Sequence, residues 1–407
     1  QVVIRWGGPV LPGAPAFDFG AQTPQAQAMQ FGYNNDFAGL IPVDGVSNHF
    51  YLVCNQEYTS EEFMFTGYVP KQPTEDQARI AMAAHGITVL EVSATPGVGS
   101  LDPVVGERNR RITASTPFQL TGPAAGSEFV RTSADPAGTT ILGTIANCSG
   151  GLTPWGTMLS GEENFNNYFS NASKVTDKTA SDNLDRYSFD DDADEHQWGR
   201  YEKRFDLAQE PNEANRFGYV VEVDPHDPAS TPIKHSALGR LKHESATIHV
   251  VSRGPEAGTV VAYSGDDERL EYIYQFVSTR RMKTGLWKAA RAHNAGILDE
   301  GTLLYPGALR SMAEERTPGC GRVVIENARL GADELLILVN AYGMNAALID
   351  AATTARERGV RLIGVSSREH AESTPPDHPA RHPTRANLHD VVDLHLRRRR
   401  GAPDEWD

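Results

Sequence analysis

Short apolar stretches separated by Pro and Gly predict β-strands over much of residues 1–300. A helical interval interrupts them at Glu75–His85, where alanines and an isoleucine recur among polar residues. Gly86 is suited to end this helix because glycine adopts the left-handed backbone easily, and Ile87–Val92 resumes the strand pattern. Val260–Tyr263 is typical of a further buried strand. The pattern predicts a mainly β N-terminal region.

The last hundred residues follow a different pattern. Glu334–Asn340 contains a continuous apolar run, as parallel strands do, and Ala346–Arg358 is an alanine-rich helix pattern. Asn345 is a suitable N-cap for that helix and Gly359 a suitable C-terminal stop. Arg361–Ser367 supplies a second strand. We expect a β-loop-α-β unit with a right-handed crossover, which is an α/β arrangement with a parallel sheet.

Two groups of acidic residues follow apolar stretches and suggest a site. The run Trp155–Ser160 leads into Glu162, Glu163 and Asn164. Carboxylate and amide oxygens are hard ligands that suit calcium or ferric iron better than zinc. The alternative is an acidic pair in a solvated loop.

The second group comprises Glu244, in the segment Lys242–Thr247, and the acids Asp266 to Glu268 beyond the strand at Val260–Tyr263. Three adjacent like charges repel one another, and a cation between them would remove that repulsion. Arg269 offers a planar fork of donors for a phosphate. The alternative is a polar turn in which Arg269 forms a surface ion pair.

The ordered motifs resemble the PhoX family of secreted, metal-dependent alkaline phosphatases over about residues 1–305. The resemblance is carried by the two acidic groups and by the segments Ile4–Gly7, Pro9–Gly13, Phe31–Phe37, Leu52–Thr59, Trp155–Phe169 and Arg216–Pro225. It implies a β-propeller-like fold whose central pocket holds calcium and iron. It also implies hydrolysis of small phosphomonoesters by a metal-bound oxygen nucleophile, in a protein exported by the twin-arginine pathway to the periplasm or beyond.

The resemblance also implies roles for particular side chains. The metal ligands would be Glu162, Glu163, Asn164, Glu244, Asp266 and Glu268, with Asn55 and Glu57 as further candidates. Glu163, Glu244 and Arg269 would take part in catalysis. A buried hydrogen-bonding role is the alternative for each ligand. Calcium is the expected cofactor and iron the second candidate, because Gly161 stands where well-studied members have a Cys ligand to iron. His243 is a weaker candidate, since neighbouring strand residues face opposite sides.

Residues 306–396 resemble part of a sugar isomerase (SIS) domain, including the His-Pro-rich segment His378–Pro383. We therefore expect two domains, 1–305 and 306–407, and they form either one functional unit or a mosaic. A rival function is sugar-phosphate binding or isomerisation at the loop Asn340–Asn345, with His378, His382 and His389 as acid-base candidates. A third is a non-catalytic propeller scaffold, because later PhoX motifs have no match after about Tyr305.

Composition limits the classes of partner that this protein is expected to bind. The 407-residue chain has a formal net charge of −15, which argues against nucleic-acid binding, and no apolar stretch is long enough to span a bilayer. Cys54, Cys148 and Cys320 form no CxxC pair and are expected to be buried thiols, with at most one disulfide. The acidic run Asp182–His196 lacks EF-hand spacing and is expected to be a solvated loop, with a peripheral calcium as the alternative.

Overall fold

The computed structural model describes residues 2–268, 271–284, 287–304, 321–322, 325–326, 330, 335–339, 346–366 and 390–393. The chain forms two compact units: Gln1–Glu268 with Ile273–Tyr305, and Arg269–Tyr272 with Pro306–Asp407. The described part of the first unit contains three sheets, and that of the second contains one. No described helix is long and apolar enough to cross a membrane.

The first sheet contains five antiparallel strands: β1 (Ala38–Pro42), β2 (His49–Gln56), β3 (Gly86–Ala94), β4 (Leu101–Val104) and β5 (Arg110–Ile112). The second sheet has the order β7-β6-β11-β10-β9-β8 and comprises β6 (Pro117–Thr121), β7 (Thr140–Leu142), β8 (Asn147–Leu152), β9 (Met158–Glu162), β10 (Val220–Val223) and β11 (Ile233–His235). Its strands are antiparallel apart from the β6 and β11 pair.

The third sheet is an antiparallel series of β12 (Thr247–Val250), β13 (Thr259–Gly265), β14 (Ile273–Arg281) and β15 (Gly301–Leu304). The strand predicted at Val260–Tyr263 is confirmed as part of β13. Its burial is not uniform, because Tyr263 is 40% exposed while Val260, Val261 and Ala262 are buried.

The helices of the first unit are short: α1 (Pro24–Gln27), α2 (Glu61–Met64), α3 (Glu75–Ala84), α4 (Lys178–Asp185) and α5 (Trp287–Asn294). Single 3-10 turns occur at Glu128–Val130, Phe165–Tyr168, Ala172–Lys174, Trp198–Arg200, Lys203–Phe205, Glu213–Arg216 and Ser236–Leu238. The predicted helix at 75–85 is confirmed as α3. A capping box of Thr74 and Gln77 begins it, and Gly86 follows its end with φ of +101°.

The second unit contains β16 (Leu335–Val339), α6 (Ala346–Glu357), β17 (Arg361–Ser366) and β18 (Asp390–Asp393). All three strands pair in parallel, and Gly359 has φ of +75°. The predicted β-loop-α-β unit is therefore confirmed. Asn345, the loop Asn340–Asn345 and the three candidate histidines His378, His382 and His389 lie outside the described residues.

The acidic run Asp182–His196 is only partly the solvated loop that we expected. Asp190, Asp191 and Asp192 are exposed, but Asp194 and His196 are buried. The Asp194 carboxylate accepts hydrogen bonds from the Ser170 hydroxyl at 2.7 Å and from the Gln197 backbone N–H at 2.7 Å. The expectation was wrong for these two residues because the Asp194 carboxylate is satisfied by a hydroxyl from outside the run and by a nearby backbone N–H, which charge density does not reveal. It was also wrong for Asp182–Asp185, which lie in α4.

A fully buried ion pair joins strands of the second sheet. Lys234 Nζ lies 2.7 Å from Glu162 Oε1, and neither side chain is exposed. The Glu162 carboxylate also accepts hydrogen bonds from the Thr144 hydroxyl at 2.8 Å and the Gly218 N–H at 3.0 Å. Lys234 donates a further bond to the Arg216 carbonyl at 3.1 Å. Each charge is thus surrounded by polar partners, as a buried charge requires.

A second buried cluster surrounds His235. Its Nε2 lies 2.8 Å from Glu222 Oε2, and its Nδ1 lies 2.8 Å from Asp299 Oδ1. Both ring nitrogens therefore donate, which requires the imidazolium form. Burial lowers the pKa of His235, but the bonds and charges of Asp299 and Glu222 outweigh it and raise the pKa to about 9.

We expect Lys234→Met to lower the free energy of unfolding by about 3–5 kcal/mol, because it leaves the Glu162 charge buried without its partner. Urea unfolding followed by tryptophan fluorescence measures this change. Lys178→Met is the matched control, since Lys178 pairs with Asp182 at the surface, and it should leave the midpoint unchanged. Equal midpoints for both variants would contradict the importance of the buried pair.

We expect stability to fall as pH rises through about 9, since the pKa of His235 is higher in the folded protein than in the unfolded chain. The contribution is fully present below about pH 6.5, the ordinary histidine value. Asp299→Asn removes one carboxylate and should move the loss to lower pH, whereas His249→Gln, at an exposed position, should not. Thermal unfolding across pH measures both, and an identical profile for Asp299→Asn would refute the assignment.

Candidate metal centre

Glu163 is the central residue of a carboxylate cluster at the ends of several strands. It directly follows β9, while Glu57 follows β2 and Cys148 lies near the start of β8. Ligand atoms of Glu57, Cys148 and Glu163 all lie within 4.8 Å of one another, and the same holds for Glu163, Glu244 and Asp267. Glu163 belongs to both groups of three.

Backbone hydrogen bonds bring the second group together. The His243 N–H donates to the Glu162 carbonyl at 3.0 Å, which fixes this segment against the end of β9. The Glu244 N–H then donates to the Gly265 carbonyl at 3.1 Å, and the Asp267 N–H to the Lys242 carbonyl at 3.0 Å. Glu244 and Asp267 therefore leave the backbone beside Glu163.

This attachment depends on the absence of a side chain at Gly161. A Cβ atom there would lie 2.2 Å from the His243 carbonyl oxygen and 2.8 Å from the His243 Cβ. A contact of that length with backbone is not tolerated. A cysteine at this position would require the His243 segment to move, so the present backbone allows no thiolate ligand from residue 161.

The cluster carries an excess of negative charge. Burial raises the pKa of Glu163 to about 8, with further contributions from Asp267 and Glu244. Burial also raises the pKa of Glu57 to about 7, helped by Asp36 and Glu244, and raises that of Glu244. Partly buried carboxylates that raise one another's pKa form a site in which a cation is stabilising. The donor set therefore fits a hard divalent or trivalent metal ion.

The alkaline phosphatase PhoX family model matches residues 1–322, which is most of the chain. The chain belongs to the PhoX family. A solved structure of Pseudomonas fluorescens PhoX, in complex with vanadate as a transition state analogue, is 40% identical in sequence with a TM-score of 0.68. The match covers 75% of this chain and 51% of that PhoX chain, so this protein spans about half of its relative. The mainly β, propeller-like fold expected for the N-terminal region is thereby confirmed.

A SIS domain model matches residues 288–367. UPF0309 proteins of Thermoanaerobacter pseudethanolicus and Halalkalibacterium halodurans are 31% and 34% identical over 98 residues, which are 24% of this chain and 38% of each relative. The chain thus spans well under half the length of these curated relatives. A PhoX region and a partial SIS region occur in one chain, as the sequence motifs predict.

The predicted ligands fall into two sets in this PhoX-family chain. Glu163 and Glu244 lie together in the cluster, and the Asn164 amide donates to Glu163 Oε1. Glu162 instead pairs with Lys234, as described above, and Glu268 Oε2 lies 2.6 Å from Lys242 Nζ. Asp266 accepts a hydrogen bond from the Lys242 N–H, and Asn55 bonds to backbone groups. Arg269, the predicted phosphate-binding residue, lies outside the described residues.

Two members of the cluster, Asp267 and Cys148, were not among the candidate ligands in the sequence analysis. Asp267 lies between two acids that we selected, and only the pairing of the Lys242–Glu244 segment with Gly265–Asp267 distinguishes it from them. Cys148 was assigned as a buried thiol. It is free and buried, as is Cys54, but its sulfur also faces the carboxylates. Cys320 lies outside the described residues. His243 is buried and bonds to the Ser264 hydroxyl at 2.7 Å, so it faces away from Glu244 as expected.

We expect Glu163→Gln to weaken calcium binding by roughly tenfold or more, because it removes the carboxylate common to both groups of three. Titration calorimetry on chelator-treated protein measures this. Affinity for the wild-type protein should fall below about pH 8, where Glu163 is protonated. Asp102→Asn, at an exposed strand position, is the control. Wild-type affinity in Glu163→Gln would show that the ion binds elsewhere.

Proposed function

We propose that this protein is a metal-dependent phosphomonoesterase whose active site is the cluster around Glu163. The observation that carries the proposal is the pair of ligand groups that share Glu163, within a chain of the PhoX family. The structural relative with vanadate bound supports the same reaction class. The substrate would be a small phosphomonoester, and an exported location agrees with the family.

The residues of the chain would hold the cations and restrain one another. Glu163, Glu244 and Asp267 would supply oxygen ligands as one group, and Glu57 would supply one in the other group, which also contains Glu163. Asn164 restrains the Glu163 carboxylate through its amide. When bound, the metal would stabilise charge on the phosphoryl oxygens and present an oxygen nucleophile. Arg269 remains a prediction for binding the transferring group.

Calcium is the first candidate for the metal, because most of the donors are carboxylates. Iron is the second candidate. Gly161 has no sulfur, but the Cys148 sulfur lies within 4.8 Å of carboxylate oxygens of Glu57 and Glu163. Burial and the nearby carboxylates raise the pKa of the Cys148 thiol, so only a strongly bound cation would deprotonate it.

We expect the purified protein to contain metal and to hydrolyse p-nitrophenyl phosphate, with EDTA abolishing turnover and calcium restoring it. Glu163→Gln should lower kcat/KM by at least about a hundredfold, as expected when a metal ligand is removed, while Asp102→Asn should retain activity. Elemental analysis on the same samples reports the metal.

Metal-free, inactive wild-type protein would overturn this proposal. The sugar-phosphate and scaffold alternatives would then be separated by titrating EDTA-treated protein with glucosamine 6-phosphate. Binding without metal would favour the SIS-like region, and its absence would favour a scaffold.

A further inference from the structure

A small cavity adjoins the carboxylate cluster. Its volume is about 230 Å³, and its walls comprise Glu57, Tyr58, Thr59, Ala146, Asn164, Asn167, Tyr168, Glu195 and His196. Glu57 belongs to the cluster, and Asn164 bonds to Glu163. The cavity therefore adjoins the residues that would hold the cations.

His196 is the imidazole of the cavity wall. Its Nδ1 lies 2.8 Å from the carboxylate of Glu61, which also accepts a bond from the Thr59 hydroxyl at 2.9 Å. Burial lowers the pKa of His196, but the charge and hydrogen bond of Glu61 outweigh it, so the net shift is upward. Nδ1 carries a proton toward this carboxylate, and Nε2 has no hydrogen-bond partner among the described residues.

Aromatic packing fixes the orientation of this ring. The His196 and Tyr168 rings stack with centroids 4.5 Å apart and planes 17° apart, and the Trp198 ring lies 5.2 Å from His196. The Tyr168 hydroxyl lies 3.4 Å from the Glu57 carbonyl oxygen. His196 is therefore held in place relative to the cluster before any ligand binds, which lowers the entropic cost of binding.

The remaining walls are suited to hydroxyl groups. Thr59, Asn164 and Asn167 offer uncharged donors and acceptors, and Glu195 offers an acceptor. The volume of about 230 Å³ accommodates a small polyol.

We propose that this cavity binds the alcohol portion of the substrate, that this alcohol is a small polyol such as glycerol, and that His196 Nε2 forms a hydrogen bond with one of its hydroxyls. This inference rests on the proposed phosphatase function. His196 is thus a specificity-determining residue for the leaving group.

The test compares glycerol 1-phosphate with n-propyl phosphate, which has the same carbon chain without the free hydroxyls. The wild type should prefer glycerol 1-phosphate in kcat/KM. His196→Phe keeps a stacked ring but removes the ring nitrogens, and it should reduce that preference by roughly 10-fold to 100-fold, as expected when a buried hydroxyl of the substrate loses its partner. His196→Gln, which keeps a donor, should restore part of it.

His85→Phe is the packing control. The His85 ring lies 5.7 Å from the ring of His196 in the same aromatic group, but His85 is not part of the cavity wall. Any effect of His85→Phe should change kcat/KM for both substrates by the same factor. An unchanged preference in His196→Phe, or a wild-type preference for phosphoethanolamine, would overturn the polyol proposal while leaving the phosphatase function intact. Wild-type protein that hydrolyses none of these esters would overturn both.

Discussion

The buried pair of Glu162 and Lys234 is the interaction on which the site depends. Two adjacent glutamates at the end of β9 have opposite environments, because alternation along the chain turns their side chains to different sides. Glu162 faces Lys234, Thr144 and two backbone N–H groups. Its own backbone bonds to Tyr219 on one side and to His243 on the other. The compensated charge fixes the strand end, and this fixed end presents Glu163.

The carboxylate cluster beside this ion pair contrasts with it, because acids there lie next to other acids. Its carboxylates come from separate strand ends, and the neighbours that act on their pKa values are mostly other acids. The apolar cores do not require this concentration of charge. One core packs β2 and β3 against β9 and β10, and another packs β9 and β10 against β13 and β14. These cores stabilise the sheets, so the sheets can hold a group of like charges that a bound cation would neutralise.

Local patterns predicted the elements well. Helix α3 and the unit β16, α6 and β17 could be predicted because periodicity and glycine placement act over a few residues. The resemblance selected Glu163 and Glu244, which the structure brings together in one cluster. Long-range partners were not visible: Glu162 and Lys234 are 72 residues apart, and nothing local shows that Glu162 is neutralised. Asp267, rather than Asp266, joins the cluster because of a backbone pairing between separate segments. His196 was hidden in an acidic run whose composition suggested solvent exposure.

The contact between Gly161 and the His243 carbonyl links two positions that are far apart in sequence. Any side chain at 161 must displace the His243 segment, and the next residue in that segment is the candidate ligand Glu244. A single substitution that adds a donor at 161 would therefore disturb an existing one at 244. The two positions are therefore coupled in evolution. A cysteine ligand can replace this glycine only if the segment that carries Glu244 changes its backbone position at the same time.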